Sequence, residues 1–370
     1  VSDPHPSSLQ DALDTRLTSI DSARYRANTE SIVTSLIDWL QEERDVDSLD
    51  AIDTQDCRRW VQHLARRVRD EEIAASTAHT YYGTARSFFR WCVDDEELSE
   101  NPMRPNKVER ALPEDQGDRE RQAWPDNARE QLLAHVDEAA HDALEDDDGD
   151  AERAFRDRAI AYLLADTGAR GAELFAVSND DDRNGITWND VDLEAGVVTV
   201  LGKSRTIQGV QLPGPAAERL ERWQRLLDPP GDWPVIPTRD AATKYQHARA
   251  VLREHKSDSE IEAELADVEI DEYLRANAIT PPALTTRGAR NVMERLCDEA
   301  DVAVDGEYLK PHGARRALGH RLYHEASAET AQNALRHKSV ETTKEAYEHQ
   351  KPSDLADDVE GILYGDQESE

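Results

Sequence analysis

Hydrophobic positions recur at helical spacing through most of the first hundred residues. Between Ser22 and Glu43 they fall at Ile32, Val33, Leu36, Ile37, Trp39 and Leu40, and between Asp56 and Val68 at Trp60, Val61, Leu64 and Val68. This is the period of helices with one buried face. A third helix is expected after Ser76, a residue type suited to N-capping. Its stripe of Ala78, Tyr81, Tyr82, Ala85, Phe88, Phe89 and Cys92 reads as core, which leaves Thr80, Thr84, Arg86, Ser87 and Arg90 on a polar face able to meet phosphate. Asn101-Pro102 stops the helical run. Residues 104–125 carry three prolines and many charges and are expected to be an exposed linker, which bounds a helical domain at residues 1–103.

Beyond the linker, helices are expected at 126–144 and from Ala154 to Asp166, separated by an acidic loop from Glu145 to Glu152. After a turn at Thr167-Gly168 the period changes. Ile186 to Trp188, Val197 to Leu201 and Gly209 to Leu212 are short β-branched runs, with Gly202 to Gln208 as a hairpin loop. From about residue 216 the pattern is helical again. The expected fold is therefore mainly α with a small antiparallel β-sheet, the sheet lying in a second domain at 126–352. Residues 239–283 are acidic and helix-forming, above all from Ser259 to Leu274. Leu355, Val359, Ile362 and Leu363 mark a tail helix within 353–370.

Composition narrows the class. The chain has 370 residues, long enough to bury a proper core in two or three domains. No run approaches the roughly 20 apolar residues of a bilayer span, and Val1 to Gln10 lacks the marks of a signal peptide, so a soluble, cytoplasmic protein is expected. Cys57, Cys92 and Cys297 are too few and too scattered for a disulfide framework or a CxxC metal pair. The 78 acidic residues outweigh 44 basic ones for a formal charge of -34. Such an excess ordinarily argues against a polyanionic partner. Only 8 of the basic residues are lysine, however, and an acid-rich, lysine-poor surface is the composition expected in molar salt, where the Debye length is about 3 Å.

Two basic islands interrupt the acid. Residues 56–93 hold seven arginines against four acids, and residues 310–351 hold eight basic side chains against five acidic ones. The second island also contains five of the twelve histidines. Two such islands suggest two surfaces facing one anion, although charge fluctuates along any sequence.

Four places combine residues that folding alone does not readily explain. Arg170 follows the Gly168 turn with Glu173 three residues on, a spacing that also suits an ordinary surface salt bridge. Lys203 sits in the hairpin loop as the only lysine between Lys107 and Lys244. His312 and Arg315 lie at i and i+3 on one helix face. His337 is followed ten residues later by Tyr347 in a basic neighbourhood.

The order Arg, Lys, His-x-x-Arg, His, Tyr resembles that of the tyrosine recombinases, the phage-type integrases and Xer-like site-specific recombinases, and in composition the chain is similar to their haloarchaeal members. The likeness runs over most of the chain, and it makes residues 239–283 an insertion relative to a minimal family member, either solvated without contacts to DNA or in contact with it. It implies a helical N-terminal core-binding (SAM-like) domain joined to an α+β catalytic domain. It also implies Arg170, Lys203, His312, Arg315, His337 and Tyr347 as catalytic residues, with Glu173 in support. Thr80, Thr84, Arg86, Arg90, Arg316 and Lys338 become candidate DNA contacts. Two residues depart from the pattern: Arg336 stands where the family usually has Gly, and Arg316 where a second His is frequent.

The resemblance further implies double-stranded DNA as partner, clamped between the two domains of a homotetramer, with accessory DNA-bending or directionality factors possible and no cofactor or metal. The tail helix would dock on a neighbouring subunit or on its own domain. The implied activity is strand cleavage and rejoining through a 3′-phosphotyrosine, integrating or excising a mobile element. Alternatives are an Xer-like dimer resolvase, a type IB topoisomerase, and an inactive DNA-binding regulator of the same fold.

The residue types suit this chemistry on physical grounds. Charge grows on the non-bridging oxygens of a phosphodiester under in-line attack, and two guanidinium forks can clamp it. A tyrosine with pKa near 10 needs a neighbouring base, for which His312 is suited, and the departing oxygen needs a proton donor, for which Lys203 is suited. His337 would hydrogen-bond the phosphate.

Overall fold

The computed structural model describes residues 8–115, 122–146, 149–178, 180–337 and 339–347, the last three of these by backbone only. The chain divides into two compact units, Val1–Glu120 and Arg121–Glu370.

The first unit is built from α1 (Leu9–Thr18), α2 (Ala23–Arg44), α3 (Thr54–Arg69), α4 (Ala75–Asp94) and the single turn α5 (Asn106–Glu109). Side chains set most of the starts. Ser8 and Ser22 cap α1 and α2, and Asp53 forms a reciprocal capping box with Asp56 at the head of α3. The start of α4 differs from expectation. Its N-cap is Ala74, with no side-chain cap, and Ser76 lies inside the first turn, where its carbonyl accepts from Thr80 Oγ1. The apolar stripes of the long helices close on one another around Leu36, Leu40, Trp60, Leu64, Phe88 and Phe89.

Residues 104–125 do not behave as one exposed linker. Asn101 donates from Nδ2 to the Arg86 carbonyl and accepts from the Met103 amide, turning the chain back so that Met103 and Val108 are fully buried in the first core. Trp124, at the other end, is buried in the core of the second unit. Hydrophobic side chains among the prolines and charges decide this.

The second unit is organised around α7 (Ala151–Thr167), whose residues from Phe155 to Thr167 are all buried. It lies against α6 (Asp126–Glu145), α9 (Gly214–Leu227) and α14 (Pro311–Glu325). Between α7 and α9 come the short helix α8 (Gly171–Leu174) and an antiparallel sheet of β1 (Val191–Asp192), β2 (Val197–Leu201) and β3 (Ile207–Gln211), in that order. Val198 pairs with Val210 and Leu201 with Ile207. The hairpin loop is therefore shorter than expected, 202–206. Ile186 to Trp188 is not a strand either: Asp190 accepts from the Thr187 amide and hydroxyl, folding residues 188–190 into a 3-10 turn, and the first strand begins at Val191.

The expected insertion is helical. It comprises α10 (Ala241–Leu252), α11 (Asp258–Leu265) and α12 (Ile270–Ala276), which share a small core of their own around Ile261, Leu265 and Leu274. Its base is pinched shut by the Thr238 amide donating to the Pro282 carbonyl at 2.9 Å. The chain continues through α13 (Thr286–Glu299), α14, α15 (Ala328–Leu335) and α16 (Val340–Tyr347). The expected tail helix within 353–370 lies outside the described residues.

Candidate active site

The site begins at the end of α7. Gly168 takes φ +65°, the left-handed conformation that ends the helix, and a Cβ there would lie 2.9 Å from Leu318 Cδ2 and 3.0 Å from Leu335 Cδ2. A bare backbone is thus needed where α7 meets α14 and the last residue of α15. Two residues on, Arg170 opens α8. Its Nη1 donates to Glu173 Oε1 at 2.9 Å while its amide donates to Oε2 at 2.8 Å. The carboxylate is 1% exposed and the arginine side chain 30% exposed, so Glu173 anchors the base of a guanidinium that reaches the surface.

Arg315 is buried and approaches the same place from α14. Its two terminal nitrogens donate to the Gly168 and Leu335 carbonyls, tying together chain segments 147 and 20 residues away. His337 lies two residues past the end of α15. Its Nδ1 is 2.9 Å from Oγ1 of Thr343, a fully buried residue of α16. Burial, followed by the charges of Arg315 and Arg170, pushes the imidazole down to about 4, so the ring is neutral at pH 7. Arg170, Glu173, Arg315 and His337 are therefore one cluster.

The remaining expected residues stand at varying distance from it. His312 is exposed in the first turn of α14, one turn before Arg315. Its backbone surroundings are fixed by residues 122–124. Trp124 Nε1 donates to the Lys310 carbonyl at 2.8 Å, and a Cβ on Gly313 would sit 2.8 Å from Trp124 Cδ1. Lys203 is exposed in the β2–β3 loop, and no direct contact joins it to the arginines among the described residues. Tyr347 is the last residue of α16, a helix packed on α14 and α15; its side chain lies outside the described residues.

Several residues that hold this arrangement escape a reading of the sequence. Arg183 donates to the carbonyls of Ala172, Leu201 and Gly202 at 2.7–2.8 Å, joining α8 to the base of the hairpin. It thereby sets where Lys203 lies relative to Arg170. Thr343 orients His337. Neither has a local spacing that marks it, because the partners are distant in sequence.

Of the candidate DNA contacts, Thr80 and Arg90 are exposed and Thr84 and Arg86 half-buried on α4. Arg86 faces Glu109 at 3.6 Å and Arg90 faces Asp94 at 3.8 Å. Four other arginines of the same basic island, Arg58, Arg59, Arg66 and Arg69, line a separate groove of about 920 Å³ with Lys107 and Arg110. Arg316 donates to the Gln122 carbonyl at 3.3 Å, which makes it part of the support of α14. Lys338 lies outside the described residues. Among the described residues no three His, Cys, Asp or Glu side chains gather as a metal set, and no helix is long and apolar enough to cross a membrane.

Residues 270–354 match the phage integrase family and residues 30–96 match the phage integrase N-terminal SAM-like domain. The chain is 25% identical over 222 residues to the tyrosine recombinase XerC of Xanthomonas axonopodis pv. citri, covering 58% of this chain and 63% of that protein. It thus spans less than two thirds of that relative's length. To the XerC of Halalkalibacterium halodurans it is 25% identical over 304 residues, covering 80% and 79%. These findings support the tyrosine recombinase family.

Tyrosine recombinases are DNA strand-exchanging enzymes. Solved structures agree at the level of the fold. The Tn1549 transposon integrase in complex with transposon right end DNA superposes with a TM-score of 0.61 at 14% identity, covering 96% of this chain and all of that one. A lambda integrase dimer bound to a COC' core site gives 0.55 at 15% identity, covering 91% and 97%. A mostly helical chain with a small three-stranded antiparallel sheet is the architecture shared with these recombinases.

Against the recombinase pattern, the position before His337 is informative. Arg336 takes φ +54° and ψ +45°, the left-handed region in which glycine is most at ease. The backbone geometry that a glycine would supply is therefore kept, and the side chain extends to Glu173.

Proposed function

We propose that the chain is a site-specific DNA recombinase that cuts and rejoins duplex DNA through a 3′-phosphotyrosine formed on Tyr347. The observation that carries this reading is the convergence of Arg170, Arg315 and His337, spread over 168 positions of sequence, beneath the helix that bears Tyr347. Two guanidiniums and a neutral imidazole around one small volume suit a phosphodiester whose non-bridging oxygens gain charge under attack.

The residues divide the work as follows. Arg170 and Arg315 hold the scissile phosphate. His337, with Nδ1 engaged by Thr343, offers its other nitrogen to a phosphate oxygen. The Tyr347 oxygen attacks phosphorus in line as its proton passes to His312, while the P–O5′ bond breaks and the departing oxygen takes a proton from Lys203. The phosphotyrosine conserves the energy of the broken bond. A 5′-hydroxyl from a second strand can then displace the tyrosine by the reverse steps, with no nucleotide consumed.

The polar face of α4 supports a role in holding the duplex backbone. The acid-rich, lysine-poor composition supports work in molar salt, and we place the enzyme in the cytoplasm of a halophile, as a tetramer on paired sites of a mobile element. Resolution of chromosome or plasmid dimers is the second reading, favoured by the relatives named XerC.

The test is a covalent adduct. Incubated in molar KCl with nicked suicide duplexes built from the DNA flanking its gene, the protein is expected to form a protein–DNA species that survives denaturation. Tyr347→Phe should abolish that species and leave duplex binding intact. An adduct that persists in the variant overturns the assignment of the nucleophile.

A further inference from the structure

Three consecutive residues at the end of α15 each serve a different part of the site. The Leu335 carbonyl receives Arg315, the His337 ring stands beside the two arginines, and between them Arg336 Nη2 donates to Glu173 Oε2 at 2.5 Å. Glu173 thus carries one guanidinium on each oxygen, Arg170 on Oε1 and Arg336 on Oε2. The two are not equivalent. The Arg336 side chain is 10% exposed and the Arg170 side chain 30%.

The cost of placing an arginine here is considerable. Its backbone is left-handed, where a residue with a Cβ is less stable than glycine. Its Nε and Nη1 are buried with no hydrogen-bond partner among the described residues. The pair with Glu173, across 163 residues, is the interaction that offsets these terms.

A buried carboxylate that loses its only cation is strongly destabilising. If Arg170 alone neutralised Glu173, an incoming phosphate would have to compete with that carboxylate for the same guanidinium. With Arg336 in place, Glu173 keeps a partner when Arg170 turns outward.

We propose that Arg336 is a positioning residue that holds Glu173 so that Arg170 can transfer its guanidinium from the carboxylate to the scissile phosphate. The inference rests on the functional reading above and adds to it a division of labour between a structural and a phosphate-facing arginine. Arg336 touches no reacting atom.

The experiment measures duplex affinity and the single-turnover rate of adduct formation separately on the nicked substrate. Arg336→Gly, which suits the backbone, is expected to slow adduct formation about tenfold or more while duplex affinity changes less than about threefold. Arg336→Lys should recover part of the rate by keeping a cation beside Glu173. With Glu173→Gln as background, where no buried charge needs neutralising, adding Arg336→Gly should change the rate less than about threefold, the non-additivity expected of a coupled pair.

A rate unchanged in Arg336→Gly, or an equal loss in both backgrounds, overturns the inference. Should Arg336→Gly fail to fold, the Lys variant still decides, because a positioning role predicts an intermediate rate and a role in folding alone predicts a wild-type rate. Wild-type protein that forms no adduct overturns the functional reading itself, an outcome distinct from these.

Discussion

Gly168 is the residue on which the candidate site turns. It ends α7, lets Leu318 and Leu335 close over it, and presents the carbonyl that receives Arg315. Gly168→Ala forces a Cβ into that contact at positive φ and is expected to destabilise the second unit by about 1–3 kcal/mol, read as a lower urea midpoint. An unchanged midpoint would show that the leucines give way freely. His337 adds a pH dependence. The folded ring resists protonation to about 4, whereas the unfolded ring titrates near the ordinary 6.5. The unfolded state therefore binds more protons between these values, and the stability contributed by the neutral ring is complete above pH 6.5 and lost as pH falls towards 4. Wild type should lose more stability over that window than His337→Gln; parallel curves for the two proteins would refute the assignment.

Among the elements, the helices were legible from hydrophobic spacing and the strands less so. α2 begins at Ala23 and α3 at Thr54, well ahead of their first apolar stripe residues Ile32 and Trp60, because the capping side chains Ser22 and Asp53 set those starts. The hairpin was legible only in part, since Ile207 at the head of β3 is 71% exposed and breaks the alternation that marks a half-buried strand. Ile186 to Trp188 has strand-like composition because it is buried, yet it forms only an isolated bridge from Thr187 to Pro234. The insertion behaves as a separable piece. Its core is its own, and its ties to the rest include Arg275, which donates to the Leu227 and Asp228 carbonyls and lies 4.7 Å over the Trp233 ring, Thr280, which donates to Asp232 at 3.0 Å, and Arg239, which donates to Asp150. Replacing residues 240–281 with a short Gly-Ser link is expected to leave a cooperative urea transition, weakened by no more than about 2 kcal/mol. A non-cooperative transition would mean that the insertion completes the core of the second unit.

At the scale of the whole molecule, the formal charge of -34 is a liability in dilute buffer. Like charges distributed over the surface repel one another in the compact state, and salt removes that repulsion at all but contact range. The melting temperature is therefore expected to rise markedly between 0.1 and 2 M KCl, on the physical scale set by a Debye length of about 10 Å falling to about 3 Å or less. A melting temperature independent of KCl would remove molar salt as the explanation of the composition.

What the sequence determined by itself is local or compositional. Helical periodicity placed most helices, and the order of Arg170, Lys203, His312, Arg315, His337 and Tyr347 pointed to a family and its chemistry. Those signals survive in one dimension because they depend on residue type and spacing. The tertiary structure decided which residues share a charge and which support the rest. Arg336 meets Glu173 across 163 residues, Arg183 joins α8 to the hairpin, and Thr343 fixes His337. Val108 and Trp124, both within the stretch expected as linker, enter different cores. No spacing rule records such pairs, because a hydrogen bond or a buried contact is set by distance after folding, and distance along the chain carries almost none of that information.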